Sequence, residues 1–350
     1  MSQLVDTLEQ LVNTPSVTGD EGRICTNIAK RMAATWGLDA VRRIGNSLVV
    51  GSQTGRPLIS LYGHLDTVPS QGNGEARIDG GRMYGLGTTD MKAGVAVMMH
   101  LLEAASVRSG PFDIVGVFYD KEEGPAAENG LEDVLDEASW LEQSALAIVM
   151  EPTDLKLELG CNGSLHADVV FTGHAAHSAR PWWGENAITK AGAWLATMHD
   201  REPTNVEVAG LEYREVFSIT RADGGIARNV IPSEFVVNLN HRFPPLYSLA
   251  EAEERLRAVA AVADRVEITD RAPAGAIPER NEHFELLKDA LEAPIDAKQG
   301  WTDVARLTSR GVAAVNYGPG DAAVAHQVGE YVELSQLGDA YAALQRYLAG

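Results

Sequence analysis

The chain has 350 residues, of which 45% are apolar and 22% charged, a composition typical of a folded globular protein with about two domains. Asp and Glu outnumber Lys and Arg by 49 to 29, so the formal net charge is −20. Because such a surface repels phosphate groups, nucleic acid and anionic membranes are excluded as expected partners. An anionic ligand would have to be bound by local arginines.

The cysteines and the N-terminal residues favour a cytoplasmic protein. Cys25 and Cys161 form no disulfide framework, which suits a reducing compartment, and Cys161 is expected to be a small buried residue. Residues 2–12 carry leucines at helical spacing and lack the basic and apolar regions of a secretory signal. No segment has the length and apolar character that would predict a membrane span.

Helices and strands alternate between residues 1 and 163. Helices are predicted at residues 4–12, 21–36 and 91–106, and strands at residues 47–50, 58–62, 112–119 and 146–150. The helix at 91–106 is apolar nearly all round, so we expect a buried crossover between strands. This order predicts an α/β domain with a mostly parallel sheet, in which ligands bind beyond the carboxyl ends of the strands.

The pattern changes between residues 164 and 277. Strands that alternate polar and apolar residues are predicted at 165–171 and 235–242, with helices near 186–199 and 249–263. The order strand, helix, strand, strand, helix, strand predicts a ferredoxin-like α+β unit. From residue 278 to 350 the α/β pattern resumes, with a helix at 282–291, a strand at 312–317 and a helix at 335–348. We therefore predict a catalytic domain, residues 1–163 and 278–350, interrupted by a smaller domain.

Polar residues with metal-binding side chains follow the strands predicted in the first part of the chain. They are His64, Asp66, Asp90, Glu122, Glu123 and Glu151. Each has an ordinary explanation by itself: Asp90 as a helix N-cap, the His64–Asp66 pair as a polar turn, and Glu122 with Glu123 as a solvated loop. Because the carboxyl ends of parallel strands meet at one edge of a sheet, the set as a whole predicts a metal site.

Seven short motifs extend over nearly the whole chain. They occupy residues 63–69, 85–92, 122–123, 150–153, 173–181, 228–232 and 325–326. In this order they resemble the motifs of the dinuclear zinc peptidase and deacylase family, which includes aminoacylases, carboxypeptidases, acetylornithine deacetylases and succinyl-diaminopimelate desuccinylases. The family likewise has an α/β catalytic domain interrupted by a small α+β dimerisation domain.

The resemblance implies two Zn²⁺ ions in each subunit, for which Co²⁺ or Mn²⁺ could substitute. By motif position, His64 and Glu151 would hold one ion, Glu123 and His326 would hold the other, and Asp90 would bridge them.

The resemblance also implies roles for residues that bind no metal. Glu122 would be the general base, and Asp66 would orient the imidazole of His64. His177 would reach from the other subunit of a homodimer, formed through the inserted domain, and stabilise the oxyanion. The peptide bond after Asp90 is expected to be cis.

Residues 180–188, 300–303 and 316–321 look most like one branch of the desuccinylases, which implies a small anionic acyl-amino-acid substrate. The residues implied in substrate binding are Arg180, Asn229, Arg242 and Gly300. The chain departs from better-known desuccinylases at residues 160–163, where they have an Arg-rich stretch, and at residues 299–303. Acetylornithine deacetylation, deacylation of another N-acyl amino acid and dipeptide hydrolysis are the alternatives. A non-catalytic binding protein is disfavoured because the ligands and the base are all present.

Overall fold

The computed structural model describes residues 2–350, which divide into two compact units. The larger unit comprises the residues up to Gly160 together with Ala276–Asp296 and Thr302–Gly350. The smaller unit comprises Cys161–Gly275 and Ala297–Trp301.

The first segment of the larger unit contains five helices and eight strands. The helices are α1 (Ser2–Val12), α2 (Gly22–Trp36), α3 (Ala93–Glu103), α4 (Ala105–Arg108) and α5 (Gly130–Glu137). The strands are β1 (Val41–Ile44), β2 (Ser47–Gly51), β3 (Leu58–His64), β4 (Arg77–Asp79), β5 (Arg82–Tyr84), β6 (Asp113–Tyr119), β7 (Leu146–Val149) and β8 (Leu157–Leu159).

The smaller unit is an antiparallel sheet covered by helices. Its strands are β9 (Gly163–Thr172), β10 (Thr204–Val208), β11 (Leu211–Gly224), β12 (Glu234–Phe243) and β13 (Arg265–Ala272). Its helices are α6 (Ala187–Lys190), α7 (Gly192–His199) and α8 (Leu249–Val259).

The last segment returns to the larger unit. Its helices are α9 (Glu282–Leu291), α10 (Val304–Ser309) and α11 (Leu334–Ala349). Its strands are β14 (Ile295–Ala297), β15 (Ala314–Asn316) and β16 (Tyr331–Glu333).

The main sheet has eight strands in the order β1-β2-β6-β3-β7-β15-β8-β14. The central strands β6, β3, β7 and β15 are parallel, which confirms the predicted α/β fold. The pairs β1–β2, β2–β6 and β15–β8 are antiparallel and flank this centre. The carboxyl ends of four parallel strands therefore lie at one edge of the sheet.

Helix α3 packs in the core of the larger unit. Nine of its eleven residues are buried, as expected for an apolar crossover helix. The predicted helix is too long, because Ala104 adopts an extended backbone conformation and separates α3 from the short helix α4. Both cysteines are buried, which confirms the expectation for Cys161.

The five strands of the smaller unit are ordered β10-β11-β12-β9-β13. Without the edge strand β10, this is the antiparallel strand order of a ferredoxin-like unit, as predicted. The helix predicted at 186–199 is two helices, because α6 ends before Ala191 and α7 begins at Gly192. Within residues 2–350, no helix combines the length and the apolar character of a membrane span.

Candidate metal centre

The segments that follow the four parallel strands, and the turn before α3, bring six side chains of the larger unit together. These are His64, Asp90, Glu122, Glu123, Glu151 and His326. Their potential ligand atoms form three groups, each with all atoms within 4.8 Å of one another. The groups are His64–Asp90–Glu151, Asp90–Glu123–His326 and His64–Glu122–Glu123. The five predicted ligands and the predicted base thus share one site.

Asp90 lies between the two histidines. Its Oδ1 is 3.0 Å from Nε2 of His64, and its Oδ2 is 3.3 Å from Nε2 of His326. Its peptide bond to Met91 is cis. Burial raises the pKa of the Asp90 carboxyl, but hydrogen bonds from His326 and His64 outweigh burial and hold that pKa well below its usual value. Each oxygen of one ionised carboxylate therefore faces a different imidazole.

His326 and Glu123 form the more exposed side of the site. Nε2 of His326 is 2.8 Å from Oε1 of Glu123. Hydrogen bonds to Asp90 and Glu123 raise the pKa of His326 to about 10. Asn73 holds the loop that carries this histidine, because its amide donates to the carbonyl of Gln327 and accepts from the N–H of Gly329.

His64 lies on the buried side, where it is 1% exposed. Burial alone lowers the pKa of its imidazole, but hydrogen bonds to Asp66 and Asp90 hold that pKa well above the usual value. Its ring therefore carries a proton between carboxylates in the absence of a metal ion. A divalent cation bound at Nε2 would replace that proton.

Glu151 is positioned by close packing of the preceding peptide. A Cβ atom on Gly94 of α3 would lie 2.2 Å from the carbonyl oxygen of Met150, and one on Gly318 would lie 2.5 Å from the same atom. Only glycine leaves room for this approach at both positions. The Met150–Glu151 backbone is thus held between two segments, and the side chain of Glu151 is buried beside His64.

Glu122 precedes Glu123 on the same loop. Burial raises the pKa of its carboxyl well above the usual value, and Glu151, Asp303 and Glu123 raise it further, against a lowering effect of His64. Its ligand atom groups with those of His64 and Glu123, so the distances alone do not distinguish a base from a metal ligand. A carboxyl with a raised pKa is suited to accept and release a proton near neutral pH.

Asp66 positions the loop of Glu122 and Glu123 through hydrogen bonds that the sequence did not predict. The strand β3 ends at His64, and Nδ1 of His64 is nearer to the main-chain oxygen of Asp66 (3.1 Å) than to its Oδ1 (3.5 Å). The carboxylate of Asp66 accepts the backbone N–H groups of Glu122 and Glu123, each at 3.0 Å. One buried carboxylate therefore contacts the histidine and holds the loop of the two glutamates.

Thr18 is a further member of this arrangement that sequence reasoning missed. Its hydroxyl donates to Oδ2 of Asp66 at 2.9 Å, and its N–H donates to the carbonyl of Thr67. It lies more than forty positions before Asp66 in the chain, and a threonine in a turn carries no signal for such a contact.

The donor set fits divalent cations that prefer nitrogen and oxygen ligands. It consists of two imidazoles and several carboxylates, with no thiolate, which suits zinc, manganese or cobalt. The negatively charged carboxylates lie close together and repel one another. The protons on the two imidazoles supply positive charge beside Asp90, and bound cations would supply it in their place. The site thus has the composition and the charge to hold two ions.

The remaining predicted residues lie in the smaller unit. His177, Arg180 and Asn229 are exposed on adjoining loops, where the N–H of Ser178 donates to the carbonyl of Asn229. Nδ1 of His177 accepts the N–H of Ala179 at 3.1 Å, so a neutral ring carries its proton on Nε2.

Arg242 lies in the sheet and is half-buried, and Gly300 is exposed. Nε of Arg242 donates to Oδ1 of Asn240 at 3.1 Å.

The comparisons with known proteins agree with this fold. The family model described as "Peptidase family M20/M25/M40" matches residues 60–350, and the chain belongs to this family of metal-dependent hydrolases. A crystal structure from Bacillus subtilis, described as a dinuclear metal binding peptidase of the M20 family, superposes with a TM-score of 0.72 at 14% identity. The match covers 99% of this chain and 97% of that one, which establishes the shared fold.

Two relatives are more similar in sequence. A Mycobacterium tuberculosis protein named "Putative succinyl-diaminopimelate desuccinylase DapE" is 40% identical over 344 residues, which is 97% of this chain and 96% of the relative. A Corynebacterium glutamicum protein named "Succinyl-diaminopimelate desuccinylase" is 36% identical over 353 residues, covering 97% of this chain and 95% of the relative.

Proposed function

We propose that the protein is a dinuclear zinc amidohydrolase. His64 and Glu151 would hold one ion, Glu123 and His326 the other, and Asp90 would bridge them. The observation that supports this assignment most directly is the position of Asp90, whose two oxygens lie 3.0 Å and 3.3 Å from the two histidines. When bound, two such ions activate water and polarise the carbonyl of the scissile amide.

Glu122 is the proposed general base. Its carboxylate accepts a proton from the attacking water and returns it to the nitrogen of the leaving amine. The position of its carboxylate beside His64 and Glu123 supports this role, because a water bound at the centre would lie within its reach. Asp66 positions the base through the hydrogen bond that it accepts from the N–H of Glu122.

His177 is the proposed oxyanion donor, supplied by a second copy of the chain in a homodimer formed through the smaller unit. Two observations support this role. The side chain is exposed, and its Nδ1 accepts a hydrogen bond, which leaves the Nε2–H group to donate.

The proposed reaction is the hydrolysis of N-succinyl-LL-2,6-diaminopimelate to succinate and LL-2,6-diaminopimelate, a step of lysine and diaminopimelate synthesis. The names of the two relatives above support this substrate. Arg242 also supports it, because burial lowers the pKa of its guanidinium, and within residues 2–350 it forms no salt bridge. Asp270 opposes this lowering of the pKa but forms no salt bridge with Arg242, so the half-buried guanidinium is suited to bind a substrate carboxylate. Asn229, Arg180 and Gly300 are the other proposed contacts.

The experiment that tests the function is a comparison of three substrates with the zinc-loaded protein. Succinyl-diaminopimelate, acetylornithine and a set of dipeptides are each assayed for release of the free amine. We expect turnover of the first to exceed that of the others by about 100-fold or more in kcat/KM. Absence of turnover of succinyl-diaminopimelate would refute the assignment.

A pair of arginine variants tests the substrate contact. Loss of a charged hydrogen-bond pair costs about 1.5–3 kcal/mol, so Arg242→Ala should raise KM by about 10- to 100-fold. Arg221→Ala is the matched control, because Arg221 lies in the neighbouring strand β11 and is exposed, with Asp223 as its partner. Equal KM values for the two variants would exclude Arg242 from the substrate site.

A further inference from the structure

Glu330 is a buried carboxylate beside the metal centre that the ligand assignment does not use. It is 1% exposed and lies four residues after His326. Its Oε1 accepts the backbone N–H groups of Thr89 at 2.9 Å and of Asp90 at 3.1 Å. None of the three groups of potential ligand atoms among residues 2–350 includes it. It therefore contacts the backbone of a proposed ligand, not the position of an ion.

Glu330 connects the turn of Asp90 to the loop of His326 through its main chain as well. Its carbonyl oxygen accepts the N–H of Gly85 at 3.0 Å, and its own N–H donates to the carbonyl of Gln327 at 3.2 Å. These two segments are far apart in sequence, and each supplies a ligand of the proposed centre. Glu330 thus contacts both segments that supply these ligands.

The N–H groups of two consecutive residues, Thr89 and Asp90, converge on one carboxyl oxygen of Glu330. Because two backbone N–H groups donate to the same buried oxygen, they hold the peptide between Thr89 and Asp90 in one orientation. Rotation of this peptide would displace the side chain of Asp90, whose oxygens must face both ions at once.

We propose that Glu330 is a positioning residue of the metal centre, which fixes the turn of Asp90 so that this carboxylate binds two ions. The inference rests on the proposed dinuclear function. It predicts that a substitution of Glu330 lowers the affinity for metal ions, whereas a substitution that only destabilises the fold does not.

The experiment compares the metal affinities of Glu330→Gln, Glu330→Ala and a control. Zn²⁺ affinity is measured by competition with a chromophoric chelator, and folding by circular dichroism and thermal unfolding. The control is Asp113→Asn, because Asp113 is also 1% exposed and accepts the N–H groups of Thr54, Gly55 and Arg56. Asp113 lies at the opposite end of β6 from the metal centre, six residues before Tyr119.

We expect Glu330→Ala to weaken Zn²⁺ binding by about 100-fold and Glu330→Gln by about 10-fold, since the amide keeps one oxygen that can accept the two N–H groups. Asp113→Asn should bind both ions as the unaltered protein does.

A folded Glu330→Ala variant with the affinity of the control overturns the positioning role. If that variant does not fold, the same comparison is decided by Glu330→Gln. An unaltered protein that binds fewer than two ions per chain overturns the dinuclear function itself, and this outcome is distinguishable because it precedes any substitution.

Discussion

The replacement of Asp66 by Asn removes one of two carboxylate oxygens that both accept backbone hydrogen bonds. Oδ1 accepts the N–H of Glu122 and Oδ2 accepts that of Glu123, each at 3.0 Å. An amide offers one acceptor and one donor, so one of these N–H groups would face an NH₂ group. A buried donor left without its acceptor costs about 1–3 kcal/mol, and the loss of charge weakens the remaining bond. We therefore expect the free energy of unfolding to fall by about 3 kcal/mol.

The same hydrogen bonds position the proposed base and one proposed metal ligand. If most of this free energy serves to hold Glu122 and Glu123 in their reactive positions, its loss raises the barrier to reaction by about 2.7 kcal/mol. This corresponds to a 100-fold loss of kcat/KM. The assay is amine release from succinyl-diaminopimelate, with metal content and urea unfolding measured on the same preparation.

The control is again Asp113→Asn. Asp113 accepts three backbone N–H groups at the start of β6, about 20 Å from the end of the strand that leads to the site. This variant should lose a similar free energy of unfolding and keep its kcat/KM. If kcat/KM of Asp66→Asn lies within about threefold of the control, the reasoning is refuted, because the variant would then have lost stability without losing activity.

Three further outcomes are expected. Glu122→Gln should keep its metal content while kcat falls by about 10²- to 10⁴-fold, and equal loss of metal and turnover would identify Glu122 as a ligand. Removal of the metal ions by a chelator should lower the melting temperature, since the clustered carboxylates then repel one another, and added zinc should restore it; an unchanged melting temperature would count against the centre. In the smaller unit, burial raises the pKa of Glu215, but Arg255 and His241 lower it to about 2. Because this pKa is depressed, the ion pair stabilises the fold above the ordinary carboxyl pKa and ceases to do so as the pH falls towards 2. Glu215→Gln should therefore reduce the free energy of unfolding by about 3 kcal/mol at pH 7, and by progressively less in urea titrations between pH 4.5 and pH 3; a constant difference would exclude this origin.

The α/β fold and the location of the site were predictable because they depend on local patterns. Apolar runs such as residues 58–62 identify buried strands, and parallel strands present the residues that follow them at one edge. The ferredoxin-like order of the smaller unit followed from alternating strands in the same way. The resemblance then selected His326, which lies far from the other ligands in sequence and follows no pattern of its own.

Breaks and short strands were not predictable in this way. Ala104 and Ala191 interrupt segments whose composition favours continuous helices, so the apolar spacing does not separate α3 from α4 or α6 from α7. The strands β4, β5 and β16 form a separate three-stranded sheet. Each strand has three residues, which is too short for an alternating pattern to identify it.

The sequence by itself determined which chemical groups meet at the edge of the sheet, because it shows the order of the strands and the residue types that follow each strand. Only the tertiary structure decided how those groups are held. Asp66 binds the backbone of Glu122 and Glu123, and Glu330 binds that of Asp90, through contacts between segments distant in sequence. A buried carboxylate accepts hydrogen bonds from whichever N–H groups the fold brings close to it. The spacing of residues along the sequence does not predict which N–H groups these are.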